Sequence, residues 1–192
     1  PAAMAAPPVQ GPGDRPGALW RHRPLLLLIA VNLALSATWD AHTLTVPVLG
    51  HARGLSASAI GLVLGAFALA ATGVRLGISR WADHLQEAQA LRLAIAVAMA
   101  CCLAYAWLPG WGGMLLGSAV LGLALGSVQP MVLALLHQVT PADRHGEALG
   151  LRMLASNAST IVMPLLMGWL AGSAALAAPL WLVAGGLAVA RL

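Results

Sequence analysis

Residues 25–49 read LLLLIAVNLALSATWDAHTLTVPVL. The run is long enough to cross a bilayer, which takes about 20 mainly apolar residues in a helix. Its apolar character is broken by Asn32, Ser36, Asp40, Thr43 and Pro47, at steps of four, four, three and four residues. Those steps gather the interruptions on one stripe of a helix. Asp40 falls about 24 Å along the axis at a rise of about 1.5 Å per residue, past the midpoint but within hydrocarbon depth. A carboxylate at the centre of a span costs at least about 2.5 kcal/mol on insertion scales, so Asp40 must face protein or water. The stretch predicts a transmembrane helix whose polar face lines a pathway or a polar interface.

Five further apolar blocks follow: residues 58–79, 90–108, 113–136, 148–171 and 174–190. Composition agrees with a chain solvated by lipid. Of 192 residues 60% are hydrophobic and 8% charged, and the mean hydropathy is +0.85. A soluble domain carries roughly a quarter charged residues. A transmembrane barrel needs segments of about ten residues that alternate in polarity, and these runs are longer and uniformly apolar. The fold class expected is an all-α membrane protein, a bundle of six transmembrane helices.

The net charge of +4 would point to nucleic acid in a soluble protein. Here the distribution of charge matters more, and no nucleic-acid partner is expected. All ten basic residues are Arg. With six spans, Arg15, Arg21, Arg23, Arg75, Arg80, Arg92, Arg144, Arg152 and Arg191 fall on one side, and Arg53 on the other. The positive-inside rule then places both termini in the cytoplasm of a multi-pass protein of the inner (plasma) membrane.

Residues 1–23, rich in Pro, Ala and Gly, read as a cytoplasmic linker, and 24–192 as the transmembrane domain. The chain starts at Pro1 rather than Met, as a processed chain or a fragment does. Arg21, Arg23 and the leucines after them also resemble the start of a signal peptide. A retained first helix is the simpler reading with five spans behind it. Cys101 and Cys102, adjacent in the third block, read as small packing residues.

The blocks differ in polarity. The first is the most polar. The fourth carries Ser118, Ser127 and Gln129, and the fifth Ser156, Asn157, Ser159 and Thr160. The third and sixth carry almost nothing polar. This pattern suggests a three-plus-three repeat with the third and sixth helices at the periphery. Glycine pairs four apart, at 61/65, 73/77, 113/117, 122/126, 146/150 and 168/172, predict close helix contacts. Pro47, Pro130 and Pro164 are sites for kinks.

Asn32, Ser36, Asp40 and Thr43 on helix one, Gln129 on helix four, and Asn157 and Thr160 on helix five are the expected substrate or proton pathway. A carboxyl at the depth of Asp40 can accept a proton from one side and release it to the other, and the amide of Gln129 suits a neutral polar group. His42 lies on the other side of helix one from Asp40. Between helices four and five, Thr140, Pro141 and Asp143 read as a cap, first helical residue and capping-box partner. No nucleophile elbow, zinc-binding His-Glu-x-x-His, phosphate loop or cofactor fingerprint occurs. No enzyme activity, cofactor or metal is expected.

The stretch Ser79-Arg80-Trp81-Ala82-Asp83-His84 resembles the Gly-x-x-x-Asp-Arg/Lys loop of the major facilitator superfamily, with Ser79 for the Gly and His84 for the basic residue. Residues 141–150, with Arg144 and Gly146, resemble that family's loop between its tenth and eleventh helices. Pro164 with Gly168 resembles its eleventh helix, and the Pro-rich start the end of its central cytoplasmic loop. The resemblance is to the C-terminal six-helix half. It implies an alternating-access secondary transporter of a small organic molecule, proton-coupled, of which this chain is one half. It assigns cytoplasmic gating roles to Arg80, Asp83, Asp143 and Arg144. The partners it implies are a small-molecule substrate, the lipid bilayer and a missing N-terminal six-helix half or a second copy. The alternative is a non-transporting scaffold or sensor built on a transporter half.

Overall fold

A computed structural model describes residues 23–81, 86–170 and 178–190. They form six α-helices: α1 Arg23–Ala52, α2 Ala57–Trp81, α3 Glu87–Ala104, α4 Gly110–Val139, α5 His145–Leu170 and α6 Ala178–Ala190. No strand occurs among the described residues. The first five helices are each long and apolar enough to cross a membrane. The described part of α6 has 13 residues, which reach about 20 Å at a rise of about 1.5 Å per residue and fall short of the hydrocarbon core. Positions 174–177 of that expected span, and the expected linker apart from Arg23, lie outside the described residues.

The turn from α1 to α2 is built by local chemistry. Gly54 takes φ +73, a left-handed conformation that side chains disfavour. There the Leu55 amide reaches back to the Gly50 carbonyl at 3.0 Å and the Gly54 amide to that of His51 at 2.9 Å, a Schellman closure. Ser56 then caps α2 by accepting the Ala59 amide at 3.2 Å. Arg53 donates to the Leu108 carbonyl at 2.9 Å and ties this turn to the one before α4.

The expected cap of α5 by Thr140 does not form. α4 continues to Val139, beyond the end of its apolar block, so Thr140 becomes the C-terminal cap of α4. Its hydroxyl is buried without a hydrogen bond. A 3₁₀ turn, Ala142–Arg144, bridges to α5, closed by the Arg144 amide on the Pro141 carbonyl at 3.0 Å.

α1 and α4 form the centre. α2 packs along α4 and α5 along α1; α3 lies on α4, α6 on α1, and α3 on α6. Over its apolar stretch, α4 has 50% of its residues buried, against 28% in α3 and 17% in α2 and α5. α3 is not the least covered of the helices. α2 and α5 are, and they present Leu62, Leu69 and Leu76, and Met153, Ile161 and Leu165, to the outside.

The glycine pairs are not equivalent. A Cβ on Gly122 would stand 2.4 Å from the Phe67 carbonyl oxygen, and one on Gly126 2.6 Å from the Ala71 Cα. Here the α2 and α4 backbones touch, as small residues allow. Gly117 is closed off by Leu108 and Gly113 by Pro109, while Gly61, Gly65, Gly73, Gly77, Gly146, Gly150 and Gly168 have nothing within 4 Å.

A buried polar knot joins α1, α4 and the turn after α3, with α2 stacked against it. His42 Nε2 lies 2.9 Å from Ser118 Oγ, which lies 2.7 Å from the Tyr105 hydroxyl. The Tyr105 hydroxyl also donates to the Met114 carbonyl at 3.3 Å. Phe67 stacks on the His42 ring at 4.4 Å. Ser118→Val removes the one atom shared by two buried partners. A buried group left unpaired costs about 1–3 kcal/mol, and we expect a loss of stability of that size in detergent unfolding. His42→Leu should cost less, because Ser118 keeps Tyr105. The double variant should fall below the sum of the singles, since with the imidazole gone only Tyr105 loses by the loss of the hydroxyl.

Candidate functional site

α1, α2, α4 and α5 line an open polar cavity of about 300 Å³. Neither α3 nor α6 contributes to it. α1 presents Asn32, Ser36, Trp39 and Asp40; α2 presents Arg75; α4 presents Gln129 beside Leu125 and Val128; α5 presents Ser156, Asn157 and Thr160.

Six of the seven pathway residues expected from the sequence thus meet in one space: Asn32, Ser36, Asp40, Gln129, Asn157 and Thr160. Thr43 does not reach it. Its hydroxyl donates to the carbonyls of Trp39 at 3.1 Å and Asp40 at 3.0 Å on its own helix. This back-bonding is the common alternative for a threonine inside a helix.

The α1–α5 wall is held by hydrogen bonds. Asn32 Nδ2 donates to Ser156 Oγ at 2.9 Å, and Ser36 Oγ meets the same oxygen at 3.3 Å. Deeper along α1, Ser159 Oγ donates to Asp40 Oδ2 at 2.6 Å. Ser159 is also part of the wall of an apolar groove between α1, α5 and α6, with Leu33, Val162 and Val183. The hydroxyl that holds Asp40 therefore divides the polar cavity from an apolar one. Ser156→Ala removes the acceptor used by Asn32. Polar contacts between membrane helices average about 0.6 kcal/mol and reach about 1.7, so unfolding in mixed micelles should shift by about 1 kcal/mol.

Arg75 and Trp39 are cavity residues that sequence reasoning passed over. Arg75 was grouped with the charges at the cytoplasmic end of helix two, yet α2 continues to Trp81 and carries it inside the span. Its Nε donates to the Gly126 carbonyl at 3.3 Å, and its guanidinium carbon lies 5.6 Å from the Trp39 ring centre. That contact is a cation–π pair. Trp39 in turn meets the edge of Phe67 at 4.5 Å. The available signal was position: an Arg inside an apolar block is a functional candidate by default. Ser159 was visible as a polar residue of helix five, but its pairing with Asp40 was not.

Of the expected gating residues, Arg80 lies exposed in the last turn of α2, and Asp143 is exposed in the turn before α5. Arg144 forms an ion pair with Glu147, 2.6 Å from Nη2 to Oε2. Asp83 lies outside the described residues. No group of three or more His, Cys, Asp or Glu side chains that could hold a metal occurs among the described residues.

Comparison with known proteins agrees with this architecture. The family model of the Major Facilitator Superfamily matches residues 5–117 and 28–192. No curated protein matches the chain. Several apolar spanning helices and a family match over nearly the whole sequence make it a multi-pass membrane protein. The chain belongs to the major facilitator superfamily of membrane transporters.

Proposed function

We propose that this chain is one half of a proton-coupled secondary transporter that carries a small organic solute across a bacterial-type inner membrane by alternating access. The observation that carries this reading is Asp40. A carboxyl sits near the middle of the apolar helix α1 against a cavity lined from four helices, with a single hydroxyl donor on its Oδ2. Ionisable groups inside a span mark substrate or proton pathways. A cavity of about 300 Å³ is at the small end of ligand sites, which run about 300–1,000 Å³.

Two features support the half-transporter reading. Exchanging α1 with α4, α2 with α5 and α3 with α6 maps each strong packing pair onto another: α2 on α4 onto α5 on α1, and α3 on α4 onto α6 on α1. That is the pairing a three-plus-three repeat produces. The apolar faces of α2 and α5 flank the cavity uncovered, and a second six-helix half placed there would close it. The arginine bias supports cytoplasmic termini, which puts Arg80, Asp83, Asp143 and Arg144 at the cytoplasmic gate. A latch through Arg144 must then exchange its bond to Glu147 for one across the halves.

The test is reconstitution of the full-length protein in vesicles loaded with a pH-reporting dye. Small organic solutes of negative, zero and positive charge are added in turn, with wild type compared to Asp40→Asn. Solute-dependent proton movement that is lost in Asp40→Asn supports the reading. Proton movement unchanged in Asp40→Asn removes Asp40 from the coupling.

A further inference from the structure

The cavity holds one acid, Asp40, and one base, Arg75. They share the space without an ion pair, since the only salt bridge within 4.0 Å among the described residues is Arg144–Glu147. Arg75 is nevertheless held in place. Its Nε is taken by the Gly126 carbonyl, and Trp39 lies against its guanidinium. The two Nη nitrogens make no hydrogen bond among the described residues. Guanidinium stays charged at any working pH, and its Nη edge is the one that binds an oxyanion in a bidentate manner. A fixed cation inside a membrane span, oriented but not neutralised by its neighbours, calls for an anion from outside the chain.

We propose that the substrate is a small organic monoanion, a carboxylate or an oxyanion of like size, anchored by Arg75 and carried together with one proton on Asp40. The assignment rests on the proton-coupling role of Asp40 given above. Charge balance favours it over a neutral or cationic solute. With the cavity empty, the Asp40 carboxylate and Arg75 sum to zero. With the monoanion bound and Asp40 protonated by water on the loading side, the sum is again zero. The anion alone leaves −1 and the proton alone +1, and an unbalanced charge is costly to carry through a low-dielectric interior. Only the empty and fully loaded cavities are neutral, so the two ions move together. The other groups facing Asp40 do not disturb this sum. Ser156 and Ser159 on α5 and Gln129 on α4 are uncharged, and His42 is turned to Ser118 on the opposite face of α1. Arg152, one turn before Ser156 on α5, does not line the cavity.

The experiment uses the full-length protein in dye-loaded vesicles. The probes are acetate, benzoate and indole-3-acetate, each with its amide and the corresponding amine, together with the zwitterion phenylalanine. We expect at least one carboxylate to drive proton uptake beyond its passive entry into protein-free vesicles, where its amide and amine do not. Arg75→Gln should reduce that uptake by about tenfold or more, the loss of one charge-assisted pair, and Arg75→Lys should retain part of it. Clamping the membrane potential with potassium and valinomycin should leave the rate unchanged. Proton uptake driven by an amide, an amine or phenylalanine but by no carboxylate overturns the anion assignment and leaves the coupling role of Asp40 standing. So does a rate that follows the clamped potential, and silence from every carboxylate overturns the assignment as well. Carboxylate entry that depends on Arg75 but moves protons equally well in Asp40→Asn keeps the anchor and overturns the coupling. If Arg75→Gln does not fold, the acid-against-amide comparison in wild type and the Arg75→Lys variant still decide.

Discussion

Asp40→Asn will stop a pH gradient from driving solute accumulation while solute exchange between the two sides continues. The amide has the shape of the carboxyl, and its oxygen can still accept the Ser159 hydroxyl. The α1–α5 contact therefore survives, and unfolding in detergent should stay within about 1 kcal/mol of wild type, the size of one membrane-helix polar contact. What is lost is the proton. An Asn at this position resembles the protonated state permanently, so the solute-bound cavity keeps its charge balance and can change sides. The empty cavity then carries the uncompensated Arg75 cation, and its return is penalised. Net uptake needs that return; exchange does not. Accumulation should fall to the level of protein-free vesicles while counterflow of a labelled solute persists. Loss of both fluxes with a normal unfolding midpoint would show that Asp40 is needed for binding or movement rather than for coupling.

Much of this site was legible in the residues. Spans follow from apolar length, and the stripe from Asn32 to Asp40 follows from helical spacing, because both depend on periods of the chain alone. Gln129, Asn157 and Thr160 were found for a related reason: polar groups in a span must face protein or water. What could not be read is pairing across helices. Ser159 and Thr160 are neighbours of the same chemistry, yet one holds Asp40 and the other lines the cavity. Thr43 keeps the spacing of the stripe but satisfies its hydroxyl on its own backbone, a choice between local and distant partners that spacing does not decide. Arg75 lies within the second apolar block, six residues before the end of α2, yet it reads with Arg80 and Arg92 as one of the charges on the cytoplasmic side. Its long side chain then bonds the α4 backbone at Gly126, a contact no one-dimensional pattern contains.

Glycine spacing has the same limit, and it yields the largest expected change in stability. Gly126→Leu should prevent α2 from docking on α4. The first atom of the new side chain would lie 2.6 Å from both the Cα and the carbonyl oxygen of Ala71 and 2.7 Å from Val74 Cγ1. Two of these are backbone atoms, so a rotamer change cannot relieve them and the helices must separate. Overpacking a well-filled core by a few methylenes costs about 1–3 kcal/mol. A backbone clash along the longest contact in the bundle should cost about 3 kcal/mol or more. Separation also carries Arg75 away from Gly126 and Trp39, so cavity function should fail with the fold. Even Gly126→Ala should destabilise, although alanine is favoured over glycine by about 1 kcal/mol in a helix. Gly65 is the matched control. It has the same four-residue spacing to Gly61, on the opposing helix α2, but a Cβ there meets nothing within 4 Å. Gly65→Ala should gain up to about 1 kcal/mol from propensity, and Gly65→Leu should unfold near wild type. Detergent-titration unfolding of the four variants checks the ordering. Wild-type stability in Gly126→Leu would mean that α2 and α4 do not meet along this face.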